Sequence, residues 1–176
     1  MILRFLARSR PDPVPQQLYG AVVTQARKPV FYLSRGFPDS VTGRFDVLAL
    51  HMFLFSRRLS SEDDPRAAAL AQEVFDAFTD GIDDALRALG IGDTSVPKRK
   101  QAMVHGFYAQ IEEFAPLLDK GDPGDLAEAV SRRFFEGGNK DESAAISVYM
   151  LEAANALAAQ QFRAISNGVL SWPQPD

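Results

Sequence analysis

The chain has 176 residues, no cysteine and a formal net charge of -4 at pH 7. This length suits one domain with a core of its own, and the lack of cysteine excludes disulfides, thiolate metal sites and cysteine nucleophiles. The acidic balance argues against a general nucleic-acid-binding protein, so no direct DNA binding is expected.

The chain divides into an arm, a helical domain and a tail. Residues 1–14 form a basic, proline-rich arm, residues 15–170 the helical domain and residues 171–176 a C-terminal tail. No long apolar stretch follows the arginines of the arm, so we expect the protein not to be exported. The arm is either an amphipathic turn at an anionic membrane surface or a frayed terminus.

The first part of the domain predicts two helices joined by an extended aromatic segment. The first helix is expected over residues 15–27, and Lys28-Pro29 ends it, because proline disfavours helix in the residue before it. Residues 30–39, which include several aromatic side chains, are predicted to be extended. The second helix is expected over residues 43–59, where apolar side chains recur at helical spacing.

The third helix has the clearest amphipathic pattern of the chain. Apolar residues recur at steps of three and four from Leu70 to Leu89 and should face inward. Asp64 and Pro65 suit the start of this helix, and Gly90 suits its end.

Three further helices complete the predicted fold. The fourth begins near Pro97 and should kink or end at Pro116. A short helix follows over residues 125–135, and the last covers residues 142–166. We therefore predict an all-α, single-domain bundle of about six helices, with one extended aromatic segment between the first two.

Three aspartates lie on the third helix, away from its apolar stripe. Asp80, Asp83 and Asp84 could hold Mg²⁺, and a metal-dependent enzyme therefore stays open as an alternative. That chemistry needs a second acidic cluster facing the first, and the sequence shows no obvious one. A solvated face, with Asp84 paired to Arg87, is the favoured interpretation. We predict no metal site and no cofactor.

His51 is the histidine with the stronger claim to a role, because it interrupts the apolar run of the second helix. It could act as a base, a ligand or a partner contact, or it could be a buried structural histidine. The sequence has no G-x-S-x-G serine motif and no glycine-rich phosphate loop after a strand. The sequence thus supports no catalytic residue, and we predict that the protein is not an enzyme.

Two segments are candidates for binding a partner. Lys98, Arg99 and Lys100 occupy the first turn of a predicted helix, where cations oppose the helix dipole. They should be exposed and suit an anionic partner, or they are a chance solubilising cluster. Residues 31–59 are strongly apolar and aromatic, so they either build the core or also line a groove for a partner helix, a lipid or a quinone.

With these segments, the sequence resembles the ubiquinol–cytochrome c chaperone family, the assembly factors of respiratory complex III. The resemblance depends on an ordered set of residues in two blocks, of which none is specific alone. The first block is Leu18-Tyr19, Gln25-Ala26-Arg27, Pro29, Phe31-Tyr32, Pro38-Asp39, Gly43-Arg44-Phe45-Asp46, Leu50-His51 and Arg58-Leu59. The second block is Asp83, Leu86-Arg87, Gly90, Gly92-Asp93, Val96, Lys98, Met103 and Phe107-Tyr108. The chain departs from the family pattern at Gly81, where the family often has an acid, and at Ala109, where it often has glycine.

The resemblance implies an all-helical fold, no enzymatic activity, and binding to nascent or newly inserted cytochrome b. The ribosome and an anionic membrane surface are further candidate partners. The expected location is the cytoplasm, including the inner face of the cytoplasmic membrane. On positions that match the family we predict a partner-binding set, which consists of Phe31, Tyr32, Arg44, Asp46, His51, Lys98, Arg99 and Lys100.

Overall fold

The structure, a computed structural model, describes residues 13–175, all of whose regular elements are helices. In chain order they are α1 (Val14–Ala26), α2 (Val30–Leu33), α3 (Val41–Ser60), α4 (Arg66–Ala88), α5 (Val96–Lys120), α6 (Pro123–Phe134), α7 (Lys140–Ala158) and α8 (Phe162–Ile165). Over this range, six helices have at least 12 residues, and α2 and α8 have 4 each. The prediction of an all-α, single-domain bundle of about six helices is confirmed.

The central element of the bundle is α3. Every residue from 49 to 55 is buried, and α3 packs against α1, α4, α5 and α7. A helix that is apolar on all sides must be covered on all sides, which explains why the most apolar run of the sequence forms the middle of the domain. The remaining helices are amphipathic and surround it.

The predicted inner face of α4 is confirmed over most of its length. Leu70, Val74, Phe78, Ile82 and Leu86 are all buried against the core. After α4, Gly90 has a φ of 77°, the left-handed conformation expected of a glycine that follows a helix. Leu89, which the same pattern predicts to face inward, is instead 53% exposed.

The predicted extended segment begins with a helical turn, and this part of the prediction was wrong. The amide of Leu33 donates to the carbonyl of Pro29 at 2.9 Å, and the amide of Ser34 donates to the carbonyl of Val30 at 3.0 Å. Pro29 ends α1 as predicted, but its fixed φ also suits the start of a helix. Phe31 and Tyr32 therefore lie on α2.

Pro116 does not end α5, because the helix continues to Lys120. The proline removes the donor that would pair with the carbonyl four residues earlier. Residues 112 and 116 both lie on the exposed face of α5. Water can satisfy that carbonyl there, so the helix tolerates the proline.

The last predicted helix is two helices, because α7 ends at Ala158 and α8 begins at Phe162. Arg58 of α3 explains the break. Its Nε atom donates to the carbonyl of Leu157 at 3.0 Å, and its Nη2 atom donates to the carbonyl of Gln160 at 2.9 Å. The guanidinium thus supplies partners for carbonyls that the end of a helix leaves free.

The described part of the predicted tail packs on the bundle. Trp172 lies against the ring of His51, and the carbonyl of Pro173 accepts a hydrogen bond from Gln25. Residues 1–12 of the predicted arm lie outside the described range. None of the helices in residues 13–175 is both long and apolar enough to cross a membrane.

Candidate functional site

The candidate site is an apolar groove of about 710 Å³ on one side of the bundle. Residues of α1, α2, the first turns of α3 and the second half of α4 form its walls, and Met103 of α5 also lines it. The apolar side chains that line it include Val23, Pro29, Leu33, Val41, Phe45, Leu48, Ile82, Leu86 and Leu89. We refer to this feature as the α1–α4 groove.

Large apolar side chains stand exposed along the α1–α4 groove. Leu33 is 82% exposed, and Val41 and Leu89 are each 53% exposed. Single exposed apolar residues are common on proteins, but a group of them around an apolar depression is typical of a binding surface. Leu33 belongs to α2 and Leu89 follows α4, so the exposed groups stand on different walls.

The groove has a packed aromatic base. The ring of Phe45, which lines the groove, stacks on the buried ring of Phe78 at a centroid distance of 6.2 Å. Tyr19 meets the same Phe78 ring edge-on at 6.4 Å. Phe78 continues into the core through Phe107, at 5.4 Å. The groove is therefore formed by side chains whose positions the core determines.

Two of the predicted partner-binding residues, Tyr32 and Arg44, line the groove. The Tyr32 hydroxyl donates to the carbonyl of Ala26 at 2.7 Å, which ties α2 to the end of α1. Burial raises the pKa of Tyr32, so its hydroxyl keeps its proton. Arg44 donates to the carboxylate of Asp39 at 2.6 Å, an ion pair that lies in the open groove.

Phe31 and His51 do not reach this surface, so our prediction that they contact a partner directly requires correction. Phe31 is 1% exposed and His51 is fully buried. The two rings pack edge-on in the core at a centroid distance of 5.0 Å. Our alternative interpretation of His51, as a buried structural histidine, describes its environment. Phe31 is the buried residue of α2 and fixes this helix on the core.

Asp46 lies on α3 and is half-buried, away from the groove lining. Burial raises its pKa to about 6, and the positive charge of Arg133 on α6 opposes this shift. Arg133 itself donates to Glu113 at 3.1 Å and to the carbonyl of Gly106. A role of Asp46 in binding a partner stays a prediction.

Of the basic cluster on α5, Lys98 and Arg99 are exposed, whereas Lys100 is partly covered. The Nζ atom of Lys100 lies 4.0 Å from a carboxylate oxygen of Asp83. Met103, one turn after Arg99, lines the groove. Arg99 thus lies one helical turn before a residue of the groove, and the binding role of the basic cluster stays a prediction.

The aspartates of α4 are either paired with a cation or exposed. Asp83 accepts from Arg87 at 2.8 Å, which keeps its pKa below the usual value, and Asp80 and Asp84 are exposed. Arg87 also pairs with Asp93. Arg87 therefore pairs with Asp83, four residues earlier, and not with Asp84 as we expected. Side chains at i and i+4 are neighbours on the surface of a helix. No group of three or more possible metal ligands occurs within the described part of the chain.

Five residues that line the groove are absent from the predicted partner-binding set. Leu33, Val41 and Leu89 are its exposed apolar groups, and Tyr19 and Arg27 add polar atoms to its lining. Tyr19 and Arg27 were noticed only as part of the family resemblance. A signal existed for Leu89, because it follows Leu86 at the very end of an amphipathic pattern, where a helix can expose its last apolar residue.

Comparisons with known proteins agree on one family. The family model described as "Ubiquinol-cytochrome C chaperone" matches residues 33–172. The crystal structure of the Cbp3 homolog from Brucella abortus is similar to this chain, with a TM-score of 0.83 and 31% sequence identity. That similarity covers 92% of this chain and 90% of the other. Comparison with curated proteins gives no significant match.

Proposed function

Because the chain belongs to the ubiquinol–cytochrome c chaperone family, we propose that it is an assembly chaperone of respiratory complex III and that its client is newly made cytochrome b. Membership of a chaperone family implies a role without enzymatic activity. A client that must later insert or assemble presents apolar segments, and covering them requires an apolar surface on the chaperone.

The observation that carries this proposal is the set of exposed apolar residues around the α1–α4 groove. Leu33, Val41 and Leu89 are among the most exposed large apolar residues of the described chain. A protein keeps such residues in contact with water at a cost unless a partner covers them. The groove lies between helices, which is the geometry that receives an amphipathic helix.

A lipid or a quinone is the second occupant that an apolar groove could take, and the openness of this groove argues for a protein segment. Leu33 and Leu89 stand on the rim with more than half of their surface in solvent. A single acyl or isoprenoid chain inside the groove leaves such rim residues exposed, whereas a helix lying across the groove covers them.

The proposal is tested by purifying the tagged protein from its host and measuring the cytochrome b that accompanies it. We expect Leu33→Asp and Leu89→Asp to lose most of the cytochrome b, because a carboxylate opposes burial against an apolar client. Val148→Asp is the matched control, since Val148 is a 46% exposed apolar residue on α7, a helix outside the groove lining.

Thermal unfolding of the purified variants establishes that all three proteins fold, as expected for substitutions at exposed positions. Full recovery of cytochrome b with both groove variants would contradict the groove as the client site. Extraction of a stoichiometric lipid or quinone from the wild-type protein, with no cytochrome b, would favour the alternative occupant.

A further inference from the structure

Two polar groups in the α1–α4 groove have no partner among residues 13–175. Five of its lining side chains carry polar groups. Asp39 and Arg44 bind each other, and Tyr32 donates to a backbone carbonyl. For residues 13–175, neither the Tyr19 hydroxyl nor the Arg27 guanidinium has a hydrogen bond or an ion pair, although both line the groove.

Tyr19 lies on α1, Arg27 directly follows this helix, and both residues line the groove. Burial raises the pKa of the Tyr19 hydroxyl, and the positive charge of Arg27 opposes the shift. The hydroxyl occupies the space that a Cβ atom at position 81 would need, so Gly81 of α4 is what allows the ring this position. A side chain at position 81 would displace the hydroxyl from the place where it faces the groove.

A neutral phenol and a guanidinium are both hydrogen-bond donors at the pH of a cell. Two donors that line one groove, one of them cationic, suit a carboxylate. Asp84 is exposed on α4, and its negative charge acts on Tyr19 from the opposite wall. A negative charge there disfavours a carboxylate beside Asp84, so Arg27 is the group that favours a carboxylate in the groove.

We propose that the α1–α4 groove binds an apolar client segment that carries one carboxylate, and that Arg27 and the Tyr19 hydroxyl bind this group. The inference rests on the proposed function and specifies the chemistry of the client segment. The client covers the rim residues Leu33 and Leu89 and excludes water, which strengthens the hydrogen bonds between the carboxylate and its donors. Apolar contacts thus supply the driving force, and the carboxylate fixes the register of the segment.

The probes are fluorescent peptides that overlap along the sequence of cytochrome b, and their anisotropy is measured with the purified full chain. The peptide that binds best is then made with each acidic residue replaced by glutamine or by lysine. We expect one acid to account for about a tenfold loss of affinity on neutralisation, the size of one charge-assisted hydrogen bond. Tyr19→Phe should bind the same peptide more weakly. Neutralising the acid of the peptide should then cost less affinity than it does with the wild-type protein.

The decisive measurement is a charge exchange. Arg27→Glu should lower the affinity for the acidic peptide by more than tenfold. It should bind the lysine version of the peptide better than the wild-type protein does. Arg163→Glu is the matched control, because it reverses an exposed arginine of α8, outside the groove lining. It should bind both peptides with the affinities of the wild-type protein.

The outcomes separate this inference from the proposed function. Peptide binding that Leu33→Asp abolishes and Arg27→Glu leaves unchanged would overturn the carboxylate site and leave the client groove in place. Absence of binding by every peptide would overturn both proposals. Oleate, below its micelle-forming concentration, also carries a carboxylate; if it displaces the peptide equally from the wild-type and Arg27→Glu proteins, Arg27 does not bind a carboxylate in the groove.

Discussion

The Nε2 atom of His51 lies 2.7 Å from the hydroxyl oxygen of Tyr149, inside the core between α3 and α7. The other ring nitrogen, Nδ1, lies 2.7 Å from the carbonyl oxygen of Val47. Because a carbonyl oxygen only accepts, Nδ1 carries the proton, and Nε2 accepts from Tyr149. Gln25 of α1 donates to the same hydroxyl at 2.9 Å. This hydrogen-bond chain joins three helices and requires a neutral histidine.

Stability should therefore fall as the pH is lowered through the range in which His51 would titrate. Burial lowers the pKa of His51 to about 4, whereas a histidine in the unfolded chain has a pKa of about 6.5. Between these values the unfolded chain takes up the proton and the folded chain does not. The free energy of unfolding should lose about 3 kcal/mol over this range from His51 alone.

Urea unfolding between about pH 7 and pH 4 measures this dependence. His51→Gln should lower stability at neutral pH and should remove the part of the pH dependence that His51 contributes. His105→Gln is the matched control, because His105 is exposed on α5. Equal pH dependence in the wild-type protein and in His51→Gln would contradict the assignment.

Asp46 should contribute the opposite pH dependence. Its pKa is raised to about 6 by burial, compared with about 3.9 in an unfolded chain. Between these values the folded protein holds a proton that the unfolded chain has released, so stability from this group falls as the pH rises. Asp46→Asn should stabilise the protein by about 1–2 kcal/mol at pH 7, after allowance for partial exposure, and by little at pH 4.

The same unfolding series distinguishes a charge effect from a packing effect at position 46. Asp80→Asn serves as the control, since Asp80 is exposed on α4. A stabilisation by Asp46→Asn that is the same at pH 4 and pH 7 would show that the carboxylate charge is not the cause.

The sequence predicts those parts of the fold that local periodicity determines. The buried face of α4 from Leu70 to Leu86 follows from apolar spacing, and its end follows from Gly90. The break between α7 and α8 does not, because Arg58 lies 99 residues before Leu157, whose carbonyl it binds. Local signals contain no information about a partner so distant in the chain.

The candidate site shows the same division. Tyr32 and Arg44 could be predicted because they belong to a conspicuous aromatic segment and to the family resemblance. Leu33 could not, because it looks like an ordinary core residue of its segment, and for Leu89 the one signal was its place at the end of the apolar pattern. Only the fold brings α2 and the end of α4 to one groove, with both side chains in solvent. A surface assembled from distant segments has no sequence period of its own.

Phe78 should be essential for stability, because it lies under the groove and inside the core at once. It is fully buried and contacts the rings of Tyr19, Phe45, Phe75 and Phe107. Phe78→Ala should cost about 3–5 kcal/mol of unfolding free energy and lower the protein level in cells.

The matched comparison for Phe78 is Tyr108, an aromatic residue that is 49% exposed and lies against the rings of Phe75 and Phe107. Tyr108→Ala should cost less than about 1.5 kcal/mol, because much of its ring is already in water. Equal losses for the two variants, measured by urea unfolding, would contradict the assignment of Phe78 to the core.

Lys98 and Arg99 should recruit the protein to an anionic partner, and the structure separates them from Lys100. Both are exposed, and within residues 13–175 no carboxylate pairs with either, whereas Lys100 approaches Asp83 at 4.0 Å. Replacing Lys100 with an acid would place two negative charges together. A loss of binding could then come from a loss of stability. The informative variant is therefore Lys98→Glu/Arg99→Glu, which leaves that contact intact.

This double variant should fold as well as the wild-type protein or slightly better, because acids suit the start of α5 and cations do not. It should sediment less with ribosomes or with anionic vesicles, and the binding that remains should depend less on salt. Lys140→Glu/Arg163→Glu changes the net charge equally at exposed positions on α7 and α8, and should sediment like the wild-type protein.

In cells, complex III should decrease with the first double variant, Lys98→Glu/Arg99→Glu, at a normal level of the chaperone. If both double variants sediment and support complex III assembly as the wild-type protein does, Lys98 and Arg99 are only part of a solvated face; if both fail equally, net charge and not this cluster determines recruitment.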